Sequence, residues 1–84
     1  MLRIYYFRIK KSNIVHPVIL GKSIKNRREI LAITQRDLAE LSGMGLRTLK
    51  AIENGKSNPT LETLNKIMEV LGMELSIDVR KPEF

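Results

Sequence analysis

From Val18 onward the apolar residues recur at the spacing of a helix. Leu20, Ile24, Arg28 and Leu31 fall on one face at i, i+4, i+8 and i+11, and predict a helix from about Val18 to near Ile33. Leu38, Ala39 and Leu41 form the packing side of a second, short helix. Leu49 and Ile52 do the same for a third, over roughly Leu46 to Glu53. Leu61, Leu64, Ile67, Met68 and Leu71 mark a fourth. After Gly72 the period changes. Met73, Leu75, Ile77 and Val79 alternate with Glu74, Ser76, Asp78 and Arg80, as in a half-buried strand that Lys81-Pro82 stops.

The polar residues between these runs supply the boundaries. Thr34 can accept a free backbone N–H at the start of the second helix, and Asp37 suits its positive end. Gly43 and Gly72 tolerate the left-handed conformation that ends a helix, Asn54-Gly55 ends the third, and Thr60 is a cap for the fourth. Leu2 to Ile9 is apolar and aromatic, with Arg3 and Arg8 interspersed; it reads as a strand or a loose arm, followed by a turn at Lys10–Asn13. Pro17 keeps the residue before it out of helical geometry. Three regions result: an N-terminal arm or strand over 1–17, a helical domain over 18–72, and a C-terminal strand and tail over 73–84.

Length allows one domain with one modest core, since the chain has 84 residues. With 43% hydrophobic but only 5% aromatic residues, that core must come from Leu, Ile, Val, Met and Ala. The absence of cysteine excludes disulfides and thiolate metal sites. No apolar run reaches the ~18 residues of a membrane helix, and MLRIYYFRIKK does not resemble a signal peptide, so a cytoplasmic, nucleoid-associated location is expected. A net charge of +6 favours a polyanionic partner, although a solubilising surface would give the same number.

Little here resembles catalysis. Gly21-Lys22-Ser23 and Gly55-Lys56-Ser57 echo the end of a phosphate-binding loop, but His16 and Lys50 occupy the upstream positions where that loop needs glycine. His16 is the single histidine, no acidic cluster accompanies it, and no nucleophile has a neighbouring base. The expectation is a protein without catalytic residues, metal or cofactor.

The run TQRDLAELSGMGLRTLKAIENGKS, Thr34 to Ser57, is different. Two short helices across a glycine turn must cross steeply, with small Ala39 at their closest approach. That is the helix-turn-helix layout, whose second helix enters the DNA major groove; a hairpin that only packs is the alternative. TQxxLA, SG, ENGK and PTLxTL stand at the spacing of the Xre/Cro-type helix-turn-helix regulators, which the chain resembles from about Gly21 to Gly72. The resemblance implies a mainly α, lambda-repressor-like domain of four to five helices. A C-terminal strand, with a possible N-terminal one, would form a dimer sheet.

With Leu49 and Ile52 buried, the third helix has Leu46, Arg47, Lys50 and Ala51 left to face bases. Arg47 can read guanine through O6 and N7; Lys50 can do so or grip a phosphate; Leu46 and Ala51 can only make apolar contacts. The family usually carries polar residues at several of these positions, and Gly45 replaces its common Ser. Gln35 lies where the resemblance places a phosphate contact, and Thr48, Asn54 and Lys56 are further candidates. Lys22, Lys25 and Arg36 read as general surface charge. Arg28 and Glu53 are charges on otherwise apolar inner stripes. A lone buried charge costs several kcal/mol, roughly, so they either pair with each other or reach solvent; the resemblance implies the pair.

A strand following a helical domain leaves backbone groups to satisfy. It can pair with the N-terminal strand, with the same strand of a second subunit through Met73, Leu75, Ile77 and Val79, or with both. GMELSIDVRKP resembles the HipB-like antitoxin regulators, which implies a homodimer on an inverted-repeat operator and a HipA-like kinase toxin as partner. The leading expectation is therefore a DNA-binding repressor that autoregulates a toxin–antitoxin operon. The alternative is an interaction module that mainly restrains a toxin.

Overall fold

The computed structural model describes residues 5–10 and 16–78. The element order is β1 (Tyr5–Lys10), α1 (Pro17–Ile30), α2 (Gln35–Ser42), α3 (Leu46–Glu53), α4 (Leu61–Leu71) and β2 (Met73–Asp78). The fold is thus mainly helical, with a short strand after the last helix. The turn expected at 10–13, Val79 and the Lys81-Pro82 stop lie wholly or largely outside the described residues.

Local chemistry fixes the helix ends. Pro17 opens α1, where its missing N–H costs nothing, and the His16 ring Nδ1 accepts from Val18 N–H at 3.2 Å. At α2 the Thr34 hydroxyl accepts from Asp37 N–H at 3.0 Å and the Asp37 carboxylate accepts from Thr34 N–H at 3.1 Å, a reciprocal capping box. The backbone hydrogen bond from Thr34, reinforced by the Thr34 hydroxyl, holds the Asp37 carboxyl below the usual range. Thr60 caps α4 by accepting from Thr63 N–H at 3.1 Å. Gly43 and Gly72, with φ of 70° and 65°, end α2 and α4 in the left-handed region.

Ile24, Leu38, Leu49, Ile52, Ile67 and Leu71 are the largest fully buried side chains, joined by Leu20, Ala39, Leu64 and Met68. They draw on all four helices, and Met73 and Leu75 of β2 pack against the cluster. Three of the apolar positions read as core are not in it. Leu31 lies past the end of α1, which stops at Ile30 rather than near Ile33 because Ala32 takes a left-handed φ of 57° and turns the chain. Leu41 is exposed because Leu38, Ala39 and Ser42 form the inner side of α2. Leu61 stands in the first turn of α4, ahead of the stripe that begins at Leu64, and is also exposed.

The strands settle one alternative. β1 pairs with β2 of the same chain, in parallel, from Tyr5 beside Met73 to Lys10 beside Asp78. A parallel pair needs a crossover, and here all four helices supply it. Among the described residues the sheet has two strands, so each keeps one edge without a strand partner there.

Candidate nucleic-acid interface

α3 is held from behind by α1 and α2, while α4 packs on α1, α2 and β2. The approach of α1 to α3 is close. A Cβ on Gly21 would stand 2.5 Å from the carbonyl oxygens of both Ile52 and Glu53, so only glycine lets α1 lie against the end of α3. Gly55, with φ of 73°, is similarly confined by Val18.

At this contact Arg28 and Glu53 meet. Arg28 Nε donates to Glu53 Oε2 at 2.8 Å and Arg28 Nη2 donates to Glu53 Oε1 at 3.0 Å, a two-pronged pair. Arg28 Nη1 donates to the Ile33 carbonyl at 3.0 Å, and Gln35 Nε2 donates to Glu53 Oε1 at 3.1 Å. The Glu53 side chain is 1% exposed and that of Arg28 11%. Hydrogen bonding to Glu53 outweighs desolvation and raises the Arg28 pKa above its ordinary value. The network ties α1, the α1–α2 turn, α2 and the last residue of α3 into one unit, and so fixes the tilt of α3.

Leu49 and Ile52 are buried, leaving Arg47, Thr48 and Lys50 exposed on α3. Asn54 and Lys56 are exposed just past its end, with Arg36 on α2 and Lys22 and Lys25 on α1. Two expected base-reading positions differ. Leu46 is half-buried and packs against the core, so only part of its side chain is available to a base; Ala51 is half-buried as well. Gln35 is half-buried, and its Nε2 is turned to Glu53. Gly45 opens α3 without a side-chain cap.

Periodicity overlooked two contributors. Arg27, which the spacing does not single out, donates from Nε to the Leu71 carbonyl at 3.0 Å and closes the end of α4. Its place on α1 near the end of α4 is tertiary information with no local signal. Ser42 sits in the buried side of α2 and donates to the Leu38 carbonyl, a return to i−4 that its type allows. Among the described residues no group of three or more acidic or histidine side chains gathers to hold a metal. No described helix is long and apolar enough to cross a membrane.

Two short helices in contact across a glycine turn, an anchored second helix and a basic exposed face define a helix-turn-helix domain. The helix-turn-helix family model HTH_3 matches residues 24–77, and the chain belongs to that family of non-enzymatic DNA-binding regulators. It is 42% identical over 69 residues to an uncharacterized HTH-type transcriptional regulator of Haemophilus influenzae, covering 82% of this chain and 68% of that one. It is 36% identical over 63 residues to the HTH-type transcriptional regulator PuuR of Escherichia coli, covering 75% of this chain but only 34% of PuuR. Among solved structures it resembles the restriction-modification controller protein C.AhdI from Aeromonas hydrophila, with a TM-score of 0.67 at 28% identity over 69% of this chain and 88% of that one. The clp gene regulator ClgR from C. glutamicum gives the same TM-score at 26% identity, over 74% and 80% of the two chains.

Proposed function

We propose that this protein is a sequence-specific transcriptional repressor that binds an inverted-repeat operator as a homodimer. The observation that carries the proposal is the exposed face of α3, where Arg47 and Lys50 project from a helix whose inner side is locked by Arg28 and Glu53. Arg47 reads a guanine and Lys50 reads or grips beside it, with Leu46 and Ala51 as apolar neighbours. Thr48, Asn54 and Lys56 contact phosphates, joined by Gln35 when its amide turns outward from Glu53. Two side chains able to make strong base contacts discriminate poorly in one copy. Two copies, about one helical turn or ~34 Å apart, square the selectivity.

The sheet supports a second copy through its unpaired backbone edge rather than through Met73 and Leu75, whose side chains already pack on the helices of their own chain. Antiparallel pairing of two such sheets across a two-fold axis gives four strands. Ile77 and Val79 belong to the same proposed interface. Removing residues 73–84 would uncover the core, so sedimentation of the intact chain is the cleaner measurement; a monomer at micromolar concentration refutes the dimer.

The operator is found by selection from random duplexes, followed by binding titrations at rising salt. Selective binding with a steep salt dependence is expected. Arg47→Ala should weaken it by roughly 1–3 kcal/mol and relax discrimination at one base pair. Equal affinity for selected and random duplexes refutes the reading. The tail GMELSIDVRKP favours a second reading, an antitoxin that restrains a HipA-like kinase toxin and represses their shared operon; a toxin gene beside this one is its test.

A further inference from the structure

Between α4 and β2 runs a groove of roughly 430 Å³, floored by Met68, Met73 and Leu75 and rimmed by Asn65, Glu69 and Glu74. Its charge is opposite to that of the DNA-facing helices. α4 and β2 carry Glu62, Glu69 and Glu74 against Lys66, while Asp78 stands beside Lys10 of β1, in a chain of net charge +6. Lys66 is spoken for by Glu62, 3.8 Å away on the same helix. Glu69 and Glu74 are both exposed, and among the described residues no basic side chain lines the groove beside them. Such a surface repels DNA. It is also ill suited to a second copy, because two-fold pairing of the groove on itself would set acidic rim against acidic rim. What fits is a cationic chain with apolar side chains. Cations settle over Glu69 and Glu74, and an apolar side chain lies on the half-buried Met73 and Leu75, where the flexible thioether adapts to irregular partners.

We propose that this groove binds a basic, apolar-anchored segment of a different protein. The inference rests on the partner-binding reading above and not on the operator reading. α4 packs on α1, α2 and β2, and α3 on α1 and α2, so groove and DNA site are built on different elements.

The test is an amide NMR titration of the intact protein with a short peptide of alternating Leu and Lys, with a Leu/Glu peptide as control, at ~150 mM salt. Saturable shifts at Asn65, Glu69, Glu74 and Leu75 are expected with the first peptide only. Glu69→Lys with Glu74→Lys should weaken binding about tenfold or more. Both positions are exposed, and an unchanged helical circular dichroism spectrum shows that the variant folds. Arg47→Ala with Lys50→Ala should abolish operator binding and leave the peptide affinity unchanged, so the two readings fail separately. The proposal is overturned by an absence of saturable shifts, by shifts centred on α3, by indifference to charge reversal, or by groove shifts that follow protein concentration alone, which would assign the groove to a second copy.

Discussion

Replacing Arg28 by Met tests how α3 is held. The substitution keeps most of the side-chain volume but strands Glu53, 1% exposed, with Gln35 Nε2 as its remaining side-chain donor. Breaking a buried pair from one side costs roughly 3–5 kcal/mol. Total stability near 0.05–0.15 kcal/mol per residue is roughly 4–13 kcal/mol for 84 residues. The variant should therefore lose a large share of its stability, with its urea midpoint well below that of the parent. Glu53→Met should cost less, because the more exposed Arg28 keeps the Ile33 carbonyl and can lean toward water. The double replacement should be more stable than Arg28→Met alone, since no charge remains stranded. Urea titrations of the four proteins measure all of this. If the two single effects add to the double within about 0.5 kcal/mol, the residues are not energetically coupled and the account of α3 anchoring fails.

Gly21→Ala places a methyl 2.5 Å from two α3 carbonyl oxygens, so α1 and α3 must separate; thermal unfolding should report a loss of roughly 1–3 kcal/mol and operator affinity should fall with it. Ala32→Gly relieves a left-handed alanine at φ 57° and should gain about 0.5–1 kcal/mol after the added chain entropy is counted, a midpoint increase that calorimetry will detect. Asp37→Asn removes a carboxylate whose folded pKa is depressed. The advantage of the parent over this variant should be full above the unfolded value near ~3.9 and vanish as pH falls through the folded one, so a gap that persists at pH 2 contradicts the capping account.

The helices were legible because their signals are local: Thr34 and Asp37 close the capping box, and Gly43 and Gly72 adopt the conformation their lack of a Cβ allows. Arg28 and Glu53 were legible as an anomaly, since a charge on an apolar stripe requires a partner. The errors share a cause. Leu31, Leu41 and Leu61 satisfy helical periodicity but stand at helix margins, where one residue of rotation moves a side chain from core to solvent and spacing alone cannot tell the sides apart. Ala32 concealed the end of α1 because alanine is the best helix former and gives no stop signal. The hydrogen bond of Gln35 to Glu53 joins two helices and has no local signal in the sequence. The pairing of β1 with β2 was one of two open options, since register and partner depend on contacts between the two ends of the chain.

The parallel register of β1 and β2 has a consequence for the order of assembly. Tyr5 meets Met73 only when the whole helical domain intervenes, so in the unfolded chain this pairing closes the longest loop available and recovers the least for it. Once the helices have packed, β2 is already in place on α4, and the remaining gap is the short stretch between Lys10 and Pro17. β1 therefore docks last onto a finished template and leaves first on heating or in denaturant. Its amides should exchange with solvent water by local opening while those of α1 and α3 require global unfolding.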